Sequence, residues 1–165
     1  MMNSKTLKAS LFICALAVIT LSGWLCDDAY HGLVMAKHFA EGNGLVYNIG
    51  ERVNASTCPL FTLIIAVLYS LLGRGMYFIT MGVCILFSGM CIWLMIYRIC
   101  RDKADLMLFS LILCSKSFIS FTTSGLENPL LFLLGILFFM ALFKSNITEG
   151  GGVLQNLSRY LFSLG

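Results

Sequence analysis

Long apolar blocks decide what this chain can fold into. Residues 9–25, 59–72, 76–96, 106–121 and 129–143 form apolar runs, and Lys116 is the one charge inside them. Blocks of that length suit a bilayer better than a soluble core. Composition agrees: 59% of the 165 residues are hydrophobic and 12% are charged, which leaves too little polar surface to cover a water-soluble domain of this size. The net charge of +3 falls mostly between the blocks, with no basic stripe interleaved with aromatics. Nucleic acid is therefore not expected as a partner, and membrane lipid is.

Lys5 and Lys8 precede the first block, as in a signal anchor that enters with its N-terminus inside. No A-x-A cleavage site follows, and Trp24 stands where a lipoprotein box after Leu21-Ser22-Gly23 requires cysteine, so the segment is expected to be retained. Arg98, Arg101 and Lys103 form the strongest cytoplasmic signal. They lie inside only if the block 59–72 does not cross. That block is also short against the ~20 residues a spanning helix needs. The expected fold is all-α: a polytopic transmembrane helical bundle with spans 9–25, 76–96, 106–121 and 129–143. An outer loop, 26–75, holds a juxtamembrane helix at 59–72. Residues 144–165 form a cytoplasmic tail or the start of a further helix, broken at Gly150-Gly151-Gly152.

The outer loop opens with Cys26-Asp27-Asp28-Ala29-Tyr30-His31. A helix is expected over 29–41, with Ala29, Leu33, Ala36 and Ala40 as its apolar stripe and an Asp as its cap. One cap accounts for one carboxylate and not for two. Gly42-Asn43-Gly44 ends the helix, and residues 45–48 and 51–53 are expected to pair as a small hairpin about Ile49-Gly50. Cys26 and Cys58 bracket the loop; they would pair in an oxidising compartment, and two free thiols are the alternative. His31 and His38 are seven apart with no third ligand at matching spacing, which argues against zinc.

A second polar segment, Thr122-Thr123-Ser124-Gly125-Leu126-Glu127-Asn128-Pro129, shares the outer face in this topology. Asn128 capping a helix with Pro129 at its first position explains part of it. It leaves Glu127, an ionisable group at the membrane boundary, as a functional candidate beside Asp27 and Asp28. Lys37, Arg52 and Lys116 are the cations placed to meet a phosphate, although snorkelling to the interface also accounts for Lys116.

Asp27-Asp28-Ala29-Tyr30, Ala40-Glu41-Gly42-Asn43-Gly44-Leu45-Val46-Tyr47-Asn48, Gly50-Glu51-Arg52-Val53 and Pro59-Leu60 occur in that order. The string resembles the first outer loop of polyprenyl-phosphate-sugar-dependent glycosyltransferases of the GT-C superfamily, in particular the branch that holds the mycobacterial terminal arabinofuranosyltransferases. Ser124-Gly125-Leu126-Glu127 resembles that branch's second signature, which adds Ser124 to the substrate-binding candidates. The resemblance runs from about Ala9 to Phe143. It implies an acidic residue in the first outer loop acting as base or metal ligand, by position Asp27 with Asp28 beside it, and a juxtamembrane helix after the loop. Two departures stand out. Asn54-Ala55-Ser56-Thr57-Cys58 replaces a Glu-Gly-Tyr-Thr-Asn type of run. Members also have around a dozen spans, so this chain reads as an N-terminal part.

The expected activity is transfer of a sugar from a polyprenyl-phosphate donor to a lipid or glycan acceptor, on the outer face of a bacterial inner membrane. Asp27, Asp28 and Glu127 are the catalytic candidates and the candidate ligands of a divalent cation such as Mg or Mn. A non-enzymatic membrane protein, either a truncated remnant or an assembly partner, is the rival reading. A transporter ranks last, because 76–96 and 129–143 carry no charge.

Overall fold

The computed structural model of the chain describes residues 4–148, apart from positions 52, 54, 74 and 101. Arg52, expected to bind substrate, lies outside the described residues, as do Arg74, Arg101 and the tail from 149 onward. The described residues are all-α and form no strand.

Helix α1 is Ser4–Leu21, α2 is Asp27–Ala40 and α3 is Pro59–Leu72. Helix α4 runs continuously over Met76–Ile99 and ends in a π-helical turn at Met95–Ile99. Then come α5, Lys103–Leu113, α6, Lys116–Thr123, and α7, Asn128–Thr148. At about 1.5 Å per residue α4 is roughly 36 Å long, enough for a hydrocarbon core of about 30 Å with room for tilt. It is the one continuous helix among the described residues that is long and apolar enough to cross a membrane. The pair α5 and α6 adds a second only if the two are taken as one bent span.

Helix α3 has the expected bounds. Pro59 sits in its first turn, and Gly73 closes it in the left-handed region at φ 75°, its N–H on the Tyr69 carbonyl at 2.8 Å. Four expectations need correction. The first apolar block does not stay helical to Leu25: α1 stops at Leu21, because Trp24 and Cys26 donate their N–H groups to the carbonyls of Thr123 and Ser124, at 3.2 and 3.0 Å. The block 106–121 is two helices meeting at 68°, since Ser115 is extended and starts α6 just before Lys116. The expected hairpin is a turn closed by two backbone bonds, Tyr47 N–H to Val53 and Glu51 N–H to Asn48. Among the described residues no ladder forms there: the Val46 N–H turns back to the Gly44 carbonyl, and the Val46 carbonyl accepts from His38 Nδ1. Finally, Cys26 rather than an Asp precedes the first turn of α2, so Asp27 and Asp28 lie inside that turn, where they complement the helix dipole.

Helix α4 is the central post and packs against α1, α3, α6 and α7. Its first half builds one apolar core, with Ile79, Val83 and Cys84 against Leu33 and Ala36 of α2, Phe61 and Ile65 of α3, and Leu130 of α7. Its second half builds another, with Ile92 and Ile96 against Ala15 and Ile19 of α1 and Leu106 and Phe109 of α5. Basic residues gather at this second end. Lys8 donates to the Cys100 carbonyl at 2.8 Å, and Arg98 lies over the Trp93 ring at 6.0 Å. Burial pushes the Cys100 thiol up from its ordinary range; the Asp105 carboxylate adds to that and the Lys8 ammonium opposes it.

Candidate active site

A cavity of about 370 Å³ opens between the α2–α3 hairpin and the α6–α7 turn. Asp28, His31 and Gly32 of α2 line one side, with Ser56, Thr57 and Cys58 of the loop and Thr62 of α3. Gly125, Leu126 and Glu127 line the other. Two carboxylates about a hundred residues apart in sequence thus share one chamber.

Local chemistry explains how the two walls meet. The α6–α7 turn leaves backbone carbonyls without helical partners inside an apolar bundle, where each must find a donor. Trp24 and Cys26 supply two N–H groups, as described above. Helix α4 supplies more from one stripe of small residues. Ser88 Oγ donates to the Thr122 carbonyl at 3.3 Å, and the Cys84 and Cys91 thiols reach the Leu126 and Pro129 carbonyls at 3.7 Å. Gly125 adopts φ 78°, and a Cβ there would lie 2.8 Å from Leu25 Cγ and 3.3 Å from Ala29 Cβ. Only glycine lets the turn press this closely on the start of α2.

Among the described residues a side-chain bond crosses between the walls: Thr57 Oγ1 donates to Glu127 Oε1 at 2.9 Å. Thr57 is itself held nearby. Ser56 shares a 2.7 Å hydrogen bond with Thr62, and the Ala55 N–H points at Met35 Sδ at 3.3 Å. His31 packs its ring on Tyr47, with centroids 5.3 Å apart.

The expected site residues separate into those at the cavity and those away from it. Asp28 and Glu127 line it; Asp27, exposed in the first turn of α2, does not. Lys37 is on the exposed side of α2, 3.8 Å from Glu41. Lys116 starts α6, roughly 10 Å of helix from the end that reaches the cavity. Ser124 is buried, with its hydroxyl on the Phe121 carbonyl and its own carbonyl taken by Cys26, so it serves the backbone of the turn. Among the described residues no group of three His, Cys, Asp or Glu side chains stands close enough to hold a metal ion. Cys26 and Cys58 are both free thiols.

Sequence reasoning weighed His31 only as a zinc ligand, and it passed over Ser56, Thr57 and Thr62. His31 had a signal, since it follows Asp28 by three and shares its helical face. The hydroxyl residues had none, because their place depends on a contact seventy positions away. Set against protein-family models, curated proteins and solved structures, the chain matches none of them.

Proposed function

We propose that the chain acts as a multi-pass glycosyltransferase of the bacterial inner membrane, similar to the GT-C enzymes that use polyprenyl-phosphate sugars. The observation that carries this reading is the shared chamber of Asp28 and Glu127, built from the two segments that bear the resemblance. The basic end of α4 supports the orientation. Arg98 is roughly 21 Å along the helix from Cys84, which is level with the cavity, so positive-inside placement turns the cavity outward.

In this reading an acceptor hydroxyl of a lipid or glycan enters beside the two carboxylates. Its oxygen attacks the anomeric carbon of the donor, its proton passes to a carboxylate, and the bond from carbon to phosphate oxygen breaks. One displacement inverts the anomeric centre. Asp28 is the preferred base because it lines the cavity, while Asp27 next to it adds negative charge at the helix start. Hydrogen-bond donors at the cavity then meet the charge that develops on the leaving phosphate, and His31 is the ring placed to do so.

The test uses membranes of the source organism that carry the native protein and its variants, fed a radiolabelled polyprenyl-phosphate arabinofuranose. Asp28→Asn and Glu127→Gln should each lower label transfer by at least about a hundredfold, the usual scale for a lost acid–base group. Asp27→Asn should lose less. Wild-type transfer in both cavity variants, at normal protein levels, would favour the non-enzymatic reading instead.

A further inference from the structure

The α2–α3 hairpin and the α6–α7 turn belong to segments far apart in sequence, and a cavity separates them. Thr57 stands on one wall and Glu127 on the other, and the 2.9 Å bond between them joins two cavity-lining side chains. The rest of the 55–58 segment is tied to its own wall, through Ser56 to Thr62 and through Ala55 to Met35. Around Glu127 the ties are to the backbone: the adjacent Leu126 carbonyl takes the Cys84 thiol and the Glu127 carbonyl takes the Leu131 N–H, which fixes the main chain and leaves the carboxylate to its side-chain partner. Glutamate has three rotatable bonds, and a carboxylate that must face a substrate gains from a donor that selects one rotamer.

We infer that Thr57 is the positioning residue for Glu127, and that their hydrogen bond ties the 55–58 segment across the cavity to the α6–α7 turn. The part of this inference that concerns catalysis rests on the transferase reading; the part that concerns the walls does not. Cys58, next to Thr57, lines the cavity, is half-buried and is a free thiol, so it reports on the wall directly.

The experiment treats the full chain in native membranes with a small maleimide and follows each cysteine by peptide mass spectrometry. Thr57→Val removes the donor and should speed modification of Cys58 by roughly three- to tenfold, the scale of one ordinary hydrogen bond lost at an exposed site. Thr57→Ser restores the hydroxyl and should return the wild-type rate. Glu127→Leu should match Thr57→Val, and the double variant should be no faster than either single one. Glu127→Gln keeps an oxygen that accepts from Thr57, so Cys58 stays protected while transfer falls. Buried Cys84 serves as the control for folding. If Thr57→Val exposes Cys84, Glu127→Leu and Thr57→Ser carry the comparison. An unchanged Cys58 rate in the folded donor-less variants, or additive rates in the double variant, overturns the inference. Undiminished transfer in Glu127→Gln with Cys58 protected removes the transferase reading and leaves the tie between the walls standing.

Discussion

Gly125 shows how much can depend on one missing side chain. Its backbone is left-handed, and the space where a Cβ would go is filled by Leu25 and Ala29. Gly125→Ala therefore meets two penalties at once, a left-handed alanine and a clash in a packed turn. The expected cost is roughly 2–4 kcal/mol, read as a lowered midpoint of thermal unfolding in detergent. Gly42, with φ 85° and open space around it, should lose only the smaller backbone part on the same change. At this scale the sequence was partly legible. Glu127 and the Asp27-Asp28 pair stand out as carboxylates with no local structural duty large enough to explain them. Which of the adjacent pair faces the cavity was not legible, because it depends on where α2 begins. Cys26 in place of an Asp before the first turn rotates the choice from Asp27 to Asp28.

Among the elements, α4 serves as both post and donor. Cys84, Ser88 and Cys91 fall on one side of it, and each answers a carbonyl at the α6–α7 turn. Ser88→Ala strips the Thr122 carbonyl of that donor and should lower stability by about 0.6 kcal/mol, the mean for hydrogen bonds between helices in a membrane. Ser88→Leu must instead push a branched side chain into a position 1% exposed, and should cost about 1–3 kcal/mol; thermal unfolding of the two variants side by side separates the effects. Elements with local punctuation were readable from the sequence. Pro59 and Gly73 fix both ends of α3, and Gly42 ends α2 with its N–H on the Phe39 carbonyl. Elements whose ends answer to distant partners were not. The exit of α1 follows the carbonyls of Thr123 and Ser124, whereas the bend between α5 and α6 has a local signal, the polar Ser115-Lys116 pair interrupting an apolar run. Apolar periodicity records neither.

At the scale of the molecule, two cores stacked along α4 separate a polar, carboxylate-bearing end from a basic one. This gives the proposed topology a direct check. Glu51→Cys and Lys103→Cys both replace exposed residues, one on the outer loop and one at the start of α5. An impermeant maleimide applied to intact spheroplasts should label the first, and reach the second only after lysis. Labelling of both from one side would overturn the outward placement of the cavity. Long-range closure also sets a timetable. The chamber's first wall is complete once α3 has been made, yet its second wall is encoded about a hundred residues after Asp28. A ribosome adding roughly 5–20 residues per second leaves the first half waiting for several seconds. During that interval Thr57, the start of α2 and the apolar flank of α3 stand without their counterparts. The nascent chain is then most exposed to mispairing and proteolysis, and the arrival of the Ser124–Asn128 turn ends that interval.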